Sequence, residues 1–207
     1  MNPIKFVYFD VGGVLLLDFS KTDKWSQLKR DLGVSSEKEP FFDAVWQKYR
    51  NRICIDCDVD TIAAELVEAA GCTLPEEYSM LADFVNRFEQ NPSIWPVAHA
   101  VKQQYKVGLL TNMYPRMLAL IKENQLIPDI EWDAVVDSSS VGYQKPDREI
   151  FEIAQARANV NPHAILFIDN SEEHVTVAKN LGWQAIVYDS DNIVCSTQTL
   201  LLSLFAT

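Results

Sequence analysis

Five short apolar runs, each followed directly by a polar residue, set the limits on how this chain can fold. They are Ile4-Lys5-Phe6-Val7-Tyr8-Phe9, Lys106-Val107-Gly108-Leu109-Leu110, Ala134-Val135-Val136, Ala164-Ile165-Leu166-Phe167-Ile168 and Gln184-Ala185-Ile186-Val187-Tyr188. Apolar stretches this short, rich in β-branched and aromatic residues, read as buried strands. Helical patterns near 114–125, 147–159 and 171–181 separate the last four. Strands apolar on both faces and alternating with helices predict a parallel sheet covered on each side. The expected fold is therefore α/β, with a doubly wound, Rossmann-like core.

Residues 18–92 follow another rule. Their apolar positions recur at three and four: Trp25, Leu28 and Leu32; Phe42, Val45 and Trp46; Ile62, Leu66 and Ala70; Leu81, Phe84, Val85 and Phe88. That spacing gives one apolar stripe per helix, and no strand-like run interrupts it. Gly33, Pro40, Gly71 with Pro75, and Asn91-Pro92 punctuate the stripes. The predicted organisation is a core of 1–14 and 93–207, with a helical cap of 15–92 inserted after the first strand. Residues 196–205 read as a closing helix.

Composition narrows the function classes. With 18 Lys+Arg against 29 Asp+Glu, the 207-residue chain has a formal net charge of -11 and no basic run. Clustered positive charge is what holds a nucleic-acid backbone or an anionic lipid surface, so neither partner is expected. The apolar stretch 6–17 is broken by Asp10 and Gly12-Gly13 and lacks a basic leader segment, unlike a signal peptide or a membrane span. Four cysteines are too few for a disulfide framework, and a soluble, cytoplasmic protein is expected. Oligomeric state is not legible.

Four strand-end or helix-start segments carry candidate chemistry. In Phe9-Asp10-Val11-Gly12-Gly13-Val14, a carboxylate ends a strand where open α/β sheets bind ligands, and the glycines let a ligand approach the backbone. Leu110-Thr111-Asn112 offers a hydroxyl and an amide before a helix; the segment suits an anion cradle or a helix cap. Lys145, ahead of Pro146-Asp147, stands before a helix N-terminus, an odd place for a cation unless an anion lies nearby. Asp169-Asn170 ends another strand with oxygen donors suited to a hard cation such as Mg²⁺. Glu172 and Glu173 read as ordinary acids of a helix first turn.

In order and placement, these residues resemble the haloacid dehalogenase-like (HAD) hydrolase superfamily along the whole chain. Val141-Gly142-Tyr143-Gln144-Lys145-Pro146-Asp147 and Phe167-Ile168-Asp169 are the specific segments. The resemblance implies a Mg²⁺-dependent phosphatase acting on a small phosphate monoester, such as a sugar phosphate, under a helical cap. It makes Asp10 the nucleophile that becomes an aspartyl phosphate. Mg²⁺ falls to the Asp10 carboxylate, the Gly12 carbonyl and the Asp169 carboxylate, with Asn170 behind them. Thr111 and the backbone at Asn112 take phosphate oxygens, and Lys145 neutralises Asp10 and the transferring group. A carboxylate attacks a phosphate dianion only when such cations cancel their repulsion.

Two positions depart from the family pattern. Gly12 stands where most phosphatases of the family carry an acid that exchanges protons with the leaving group, so turnover should depend on leaving-group acidity. Asn170 replaces a common acid and should weaken Mg²⁺ binding. Rival readings are a metal-independent 2-haloacid dehalogenase, a phosphoryl mutase, which Gly12 disfavours, and a low-activity regulatory or binding relative. Cys54 and Cys57 form a C-x-x-C inside the helical insert, with no second pair or His to complete a zinc site. His174 reads as a supporting or surface residue on the helix after Asp169.

Overall fold

A computed structural model describes residues 3–205. The parallel sheet holds β1 (Phe6–Phe9), β4 (Lys106–Thr111), β5 (Ala134–Asp137), β6 (Ile165–Asp169) and β7 (Gln184–Val187) in the order β5-β4-β1-β6-β7. The pairs run parallel, Phe9 lying opposite Leu109 on one side and Ile168 on the other. Alternation sorts the side chains between two cores. Val7, Phe9, Val107, Leu109, Leu166 and Ile168 face one side; Phe6, Tyr8, Leu110, Val136, Ile165 and Phe167 face the other. Both sides are buried, which is why these strands are apolar throughout.

Helices α5 (Trp95–Lys102), α6 (Met117–Glu123), α7 (Ser138–Val141), α8 (Arg148–Ala158), α9 (Glu172–Asn180) and α10 (Ile193–Phe205) complete the two layers. The chain leaves β1 toward β4 and β5, then returns across β1 to β6. That reversal opens a crevice at the strands' carboxyl ends. Asp10, Thr111 and Asp169 stand at the ends of β1, β4 and β6, around this crevice.

Between β1 and α5 lie α1 (Lys24–Asp31), α2 (Glu39–Tyr49), α3 (Ala63–Ala70) and α4 (Met80–Asn86), with a 3-10 turn at Val59–Ile62. Each apolar stripe found in the sequence belongs to one of these helices. One element departs from the helical expectation: β2 (Leu16–Leu17) pairs antiparallel with β3 (Glu89–Gln90), tying the two ends of the insert together. Two residues are too few to show a period-two pattern. Asn91 secures this junction from the buried side, donating through Nδ2 to the Val14 carbonyl at 2.8 Å and the Tyr188 hydroxyl at 3.0 Å. The insert shares one hydrophobic cluster with the sheet, running from Val7 and Phe9 to Leu28, Phe42, Leu66 and Phe84. Pro40, read as a break, sits instead in the first turn of α2, where its missing N–H leaves no bond unmade.

Candidate active site

The crevice holds a buried cluster of one lysine and two aspartates. Lys145 Nζ lies 2.9 Å from Asp10 Oδ1 and 2.6 Å from Asp169 Oδ2, and donates to the Leu110 carbonyl at 3.0 Å. An ammonium has three N–H donors, and here all three are used. Lys145 is only 3% exposed. Its backbone is clamped by the Asn112 side chain, which accepts from Lys145 N and donates to Lys145 O, each at 2.8 Å. The Asn112 amide therefore fixes the lysine.

Electrostatics follow from this count. Two ionised carboxylates against one ammonium would leave a net negative charge where little water reaches. Burial pushes the Asp10 carboxyl up to about 7, with Lys145 pulling it down and Asp169 adding to the rise. Asp169 is held well below the usual carboxylate range: burial opposes ionisation, but Lys145 and His174 outweigh it. For Lys145, burial disfavours the charge, yet Asp10 and Asp169 together raise its pKa. The lysine is thus an ammonium bound chiefly by Asp169, and Asp10 is the member left short of positive charge.

Asp169 is saturated. Its Oδ1 accepts from Ser171 N at 2.7 Å and from His174 Nδ1 at 3.1 Å, while Oδ2 takes the lysine. It is fully buried. Asn170, by contrast, lines the cavity, packed so tightly over Gly13 that its amide nitrogen fills the space a Cβ there would need. Gly13 also holds a φ of +74°, so both space and backbone require glycine.

Thr111 is the unsatisfied member. Its Oγ1 is buried and has no hydrogen-bond partner, although the residue lines the same cavity as Asp10 and Lys145. A buried hydroxyl left unpaired is costly, and an anion oxygen placed against it removes that cost. Ser138 shapes the loop from below by accepting from Met113 N at 3.0 Å.

The cavity encloses about 350 Å³. Asp10, Gly12, Thr111 and Asn112, at or just past the ends of β1 and β4, line it together with Lys145 from the loop before α8. Its outer wall comes from the insert and one loop: Phe19, Trp25, Trp46, Phe84, Phe88 and Tyr114. Two of the pairs pack edge to face, Phe84 lying 5.7 Å from Tyr114 and Trp46 5.9 Å from Tyr114, while Trp25 stacks on Phe84. A larger groove of about 830 Å³ opens beside Lys5, Arg148 and His163, near the strands' amino ends, away from this cluster.

Sequence reasoning singled out Asp10, Gly12, Thr111, Asn112, Lys145, Asp169 and Asn170, and all of them gather around one crevice. It left out the aromatic wall: Trp25, Trp46, Phe84 and Phe88 read only as helix stripes, and Phe19 and Tyr114 were not singled out. His174, read as a supporting or surface residue, touches Asp169. Asp18, also on the cavity wall, went unnoticed because it follows no strand of the main sheet. Cys54 faces the cavity, and burial pushes its thiol up to about 12; it and Cys57 are both free thiols.

An open parallel sheet with a buried aspartate at the end of its central strand, paired to a lysine from a neighbouring loop, is the layout of a doubly wound α/β protein with its site at the strands' carboxyl ends. A family model for haloacid dehalogenase-like hydrolases matches residues 4–182, and the chain belongs to that family. Solved structures agree in fold. A predicted HAD-like family hydrolase of Porphyromonas gingivalis gives a TM-score of 0.73 at 22% identity, covering 95% of this chain and 98% of that one. A HAD family enzyme of Bacteroides thetaiotaomicron, in complex with magnesium and inorganic phosphate, gives 0.69 at 19%, covering 90% and 95%. L-2-haloacid dehalogenase of Xanthobacter autotrophicus, with chloropropionic acid covalently bound, gives 0.60 at 22%, covering 99% and 84%.

Among curated relatives, bifunctional epoxide hydrolase 2 of Sus scrofa is 24% identical over 154 residues, 70% of this chain and 26% of that protein. Phosphorylated carbohydrates phosphatase of Thermotoga maritima is 29% identical over 104 residues, 50% of this chain and 48% of that protein. The chain thus spans about half or less of these relatives' lengths. Among the described residues, no helix is long and apolar enough to cross a membrane.

Proposed function

We propose that the protein hydrolyses small phosphate monoesters, with Mg²⁺, through an aspartyl phosphate on Asp10. The observation that carries this reading is the unpartnered Thr111 hydroxyl, buried beside a carboxylate and a lysine in one cavity. Phosphate oxygens would satisfy Thr111 and the donors around it. Asp10 keeps Oδ2 for attack, since Oδ1 accepts from Val11 N at 2.7 Å and faces Lys145. Attack forms the Asp10–phosphorus bond and breaks the bond to the leaving oxygen; water then displaces Asp10 and releases phosphate.

A divalent cation fits the chemistry of the donors. Ionising Asp10 would give the buried cluster a net negative charge, so Asp10 ionises with difficulty until a second cation arrives. Its ligands would be the Asp10 carboxylate, the Gly12 carbonyl and the Asn170 amide oxygen, donors of the kind a hard cation takes. Asp169, expected from sequence as a ligand, takes in this reading the task of holding Lys145. When bound, Mg²⁺ supplies the charge that lets two anions meet.

The aromatic wall gives the organic part of the substrate a largely apolar chamber under the helical insert, which acts as a cap of residues 15–92. Such a lining favours a leaving group with an apolar face over one bristling with hydroxyls. The same wall disfavours a 2-haloacid: its carboxylate needs a cation, and Lys145, the one Lys or Arg on the wall, has no donor to spare. The phosphatase of Thermotoga maritima and the phosphate complex from Bacteroides thetaiotaomicron support the choice of substrate class.

The test is a panel of aryl, alkyl and sugar phosphates and 2-haloacids, with and without Mg²⁺, run beside Asp10→Asn. Phosphate release that needs Mg²⁺ and disappears in the folded variant is expected. Halide release without metal would replace this reading with the dehalogenase one.

A further inference from the structure

We propose that Asp18 is the general acid and base of this site, supplying from a neighbouring loop the carboxylate that position 12 lacks. The inference rests on the phosphate-monoester reading above and names the group that protonates its leaving oxygen. Its starting point is a collision. A Cβ built on Gly12 would fall onto Asp18 Oδ2, closer than any non-bonded approach, with Asp18 Cγ only 3.3 Å away. Any side chain at position 12 would begin where the Asp18 carboxylate now ends. Gly12 has no positive φ to demand glycine, so the demand is for space.

The carboxylate is also available. Asp18 Oδ1 accepts from Ser20 N at 2.8 Å, which fixes the side chain's direction. No hydrogen bond or ion pair engages Oδ2 among the described residues. Asp18 lines the cavity with Asp10 and Gly12 on the sheet side and Phe19, Trp25 and Tyr114 on the other. It leaves β2 directly, so the β2–β3 pairing holds its backbone in place.

The proton balance closes. As Asp10 Oδ2 bonds to phosphorus and the ester P–O bond breaks, the Asp18 carboxyl gives its proton to the departing alkoxide, which leaves as an alcohol. The Asp18 carboxylate then takes a proton from the water that attacks the aspartyl phosphate. Asp10 departs as a carboxylate, inorganic phosphate is released, and Asp18 is protonated for the next cycle.

Two substrates of similar size separate this role from others: 4-nitrophenyl phosphate, whose phenolate leaves unaided, and 2-phenylethyl phosphate, whose alkoxide needs a proton. General acid catalysis contributes on the order of 10²–10⁴-fold. Asp18→Asn should therefore lower kcat/KM for the alkyl ester at least 100-fold, and for the aryl ester less than about ten-fold. Half-saturation by Mg²⁺ should not move. The double variant Gly12→Asp with Asp18→Ala, which returns the acid to position 12 and clears its space, should regain alkyl activity that Asp18→Ala lacks. Equal losses on both esters, no loss, or a shifted Mg²⁺ requirement in Asp18→Asn would overturn the assignment, whether or not the double variant folds. A wild type that hydrolyses neither ester would instead defeat the phosphatase reading itself, and this proposal with it.

Discussion

At the scale of single residues, the site is organised by how many partners each polar atom can hold. Lys145 spends its three donors on Asp169, Asp10 and a carbonyl, so it neutralises charge and has no hydrogen bond left for a substrate. Replacing Lys145 with Met would leave two buried carboxylates facing each other; breaking a buried pair in this way costs about 3–5 kcal/mol. Urea unfolding at neutral pH without Mg²⁺ measures it, and a loss below 1 kcal/mol would mean the aspartates pick up protons at little cost. Asn170 offers a second reading of charge. Asn170→Asp adds a carboxylate on the cavity wall and should lower the Mg²⁺ concentration giving half-maximal activity. Should Asn170→Asp and Asn170→Ala both leave that concentration unchanged while Asp169→Asn raises it, the ligand is Asp169. Asp10, Thr111, Lys145 and Asp169 were legible because strand ends and helix starts are visible in sequence. The division of labour between Asp169 and Asn170 was not, since adjacent residues at a strand end point to opposite sides and only packing says which side is the cavity.

At the scale of elements, local signals and long-range ones separate cleanly. Helix α4 begins at Ser79, whose Oγ accepts from Ala82 N at 3.1 Å and lies 3.2 Å from the Asp60 carboxylate. Ser79→Ala should cost about 1 kcal/mol in a urea titration, the usual worth of a lost N-cap. A change of only a few tenths would show that Asp60, which also accepts from Leu81 N, caps the helix unaided. Arg116 reaches from the start of α6 to Asp58 and Asp60 beside the 3-10 turn, but it is about half exposed. Such a pair is screened by water, so Arg116→Ala should change stability by less than about 1 kcal/mol. Helix α5 escaped the sequence reading because it starts just past the Asn91-Pro92 break and carries a second proline, Pro96. Pro96 in fact occupies the first turn, and Val97, Ala98 and Val101 form the buried stripe. Strand β3 escaped because its identity is a pairing with β2 seventy-odd residues earlier, and no local pattern encodes that.

At the scale of the molecule, placing ionisable groups in the crevice makes stability depend on pH and metal together. The Asp10 carboxyl is raised to about 7 in the fold, against about 3.9 in an unfolded chain. Below about pH 4 both states hold the proton and nothing is lost. As pH climbs from about 4 to about 7 the unfolded chain ionises first, so folding stability falls, by an amount on the order of a few kcal/mol, and levels off above that range. Asp169 is shifted the other way, and its contribution is lost only in stronger acid. Asp10→Asn should therefore melt higher than the wild type at pH 8 without Mg²⁺, the gap closing toward pH 4. Added Mg²⁺ should raise the wild type's Tm and leave the variant's nearly still, because binding to the folded state alone stabilises it. Equal melting temperatures at pH 8 would show that Asp10 ionises freely without metal.

What the sequence determined by itself is whatever a short window can express. Apolar runs gave the five sheet strands, three-and-four spacing gave α1 to α4, and the polar residues after three of the runs, Asp10, Thr111 and Asp169, marked the candidate site. Those choices depend on burial and periodicity, which each segment carries with it. The tertiary structure alone decided which atoms share a space. It set Asp169 behind Lys145 and Asn170 on the wall, left Thr111 without a partner, and brought Trp25, Trp46 and Phe84 over the crevice from the insert. It also laid the Asp18 carboxylate against Gly12. A glycine in a sequence reads as a missing side chain; what fills the space it leaves is a matter of which loop folds back over it.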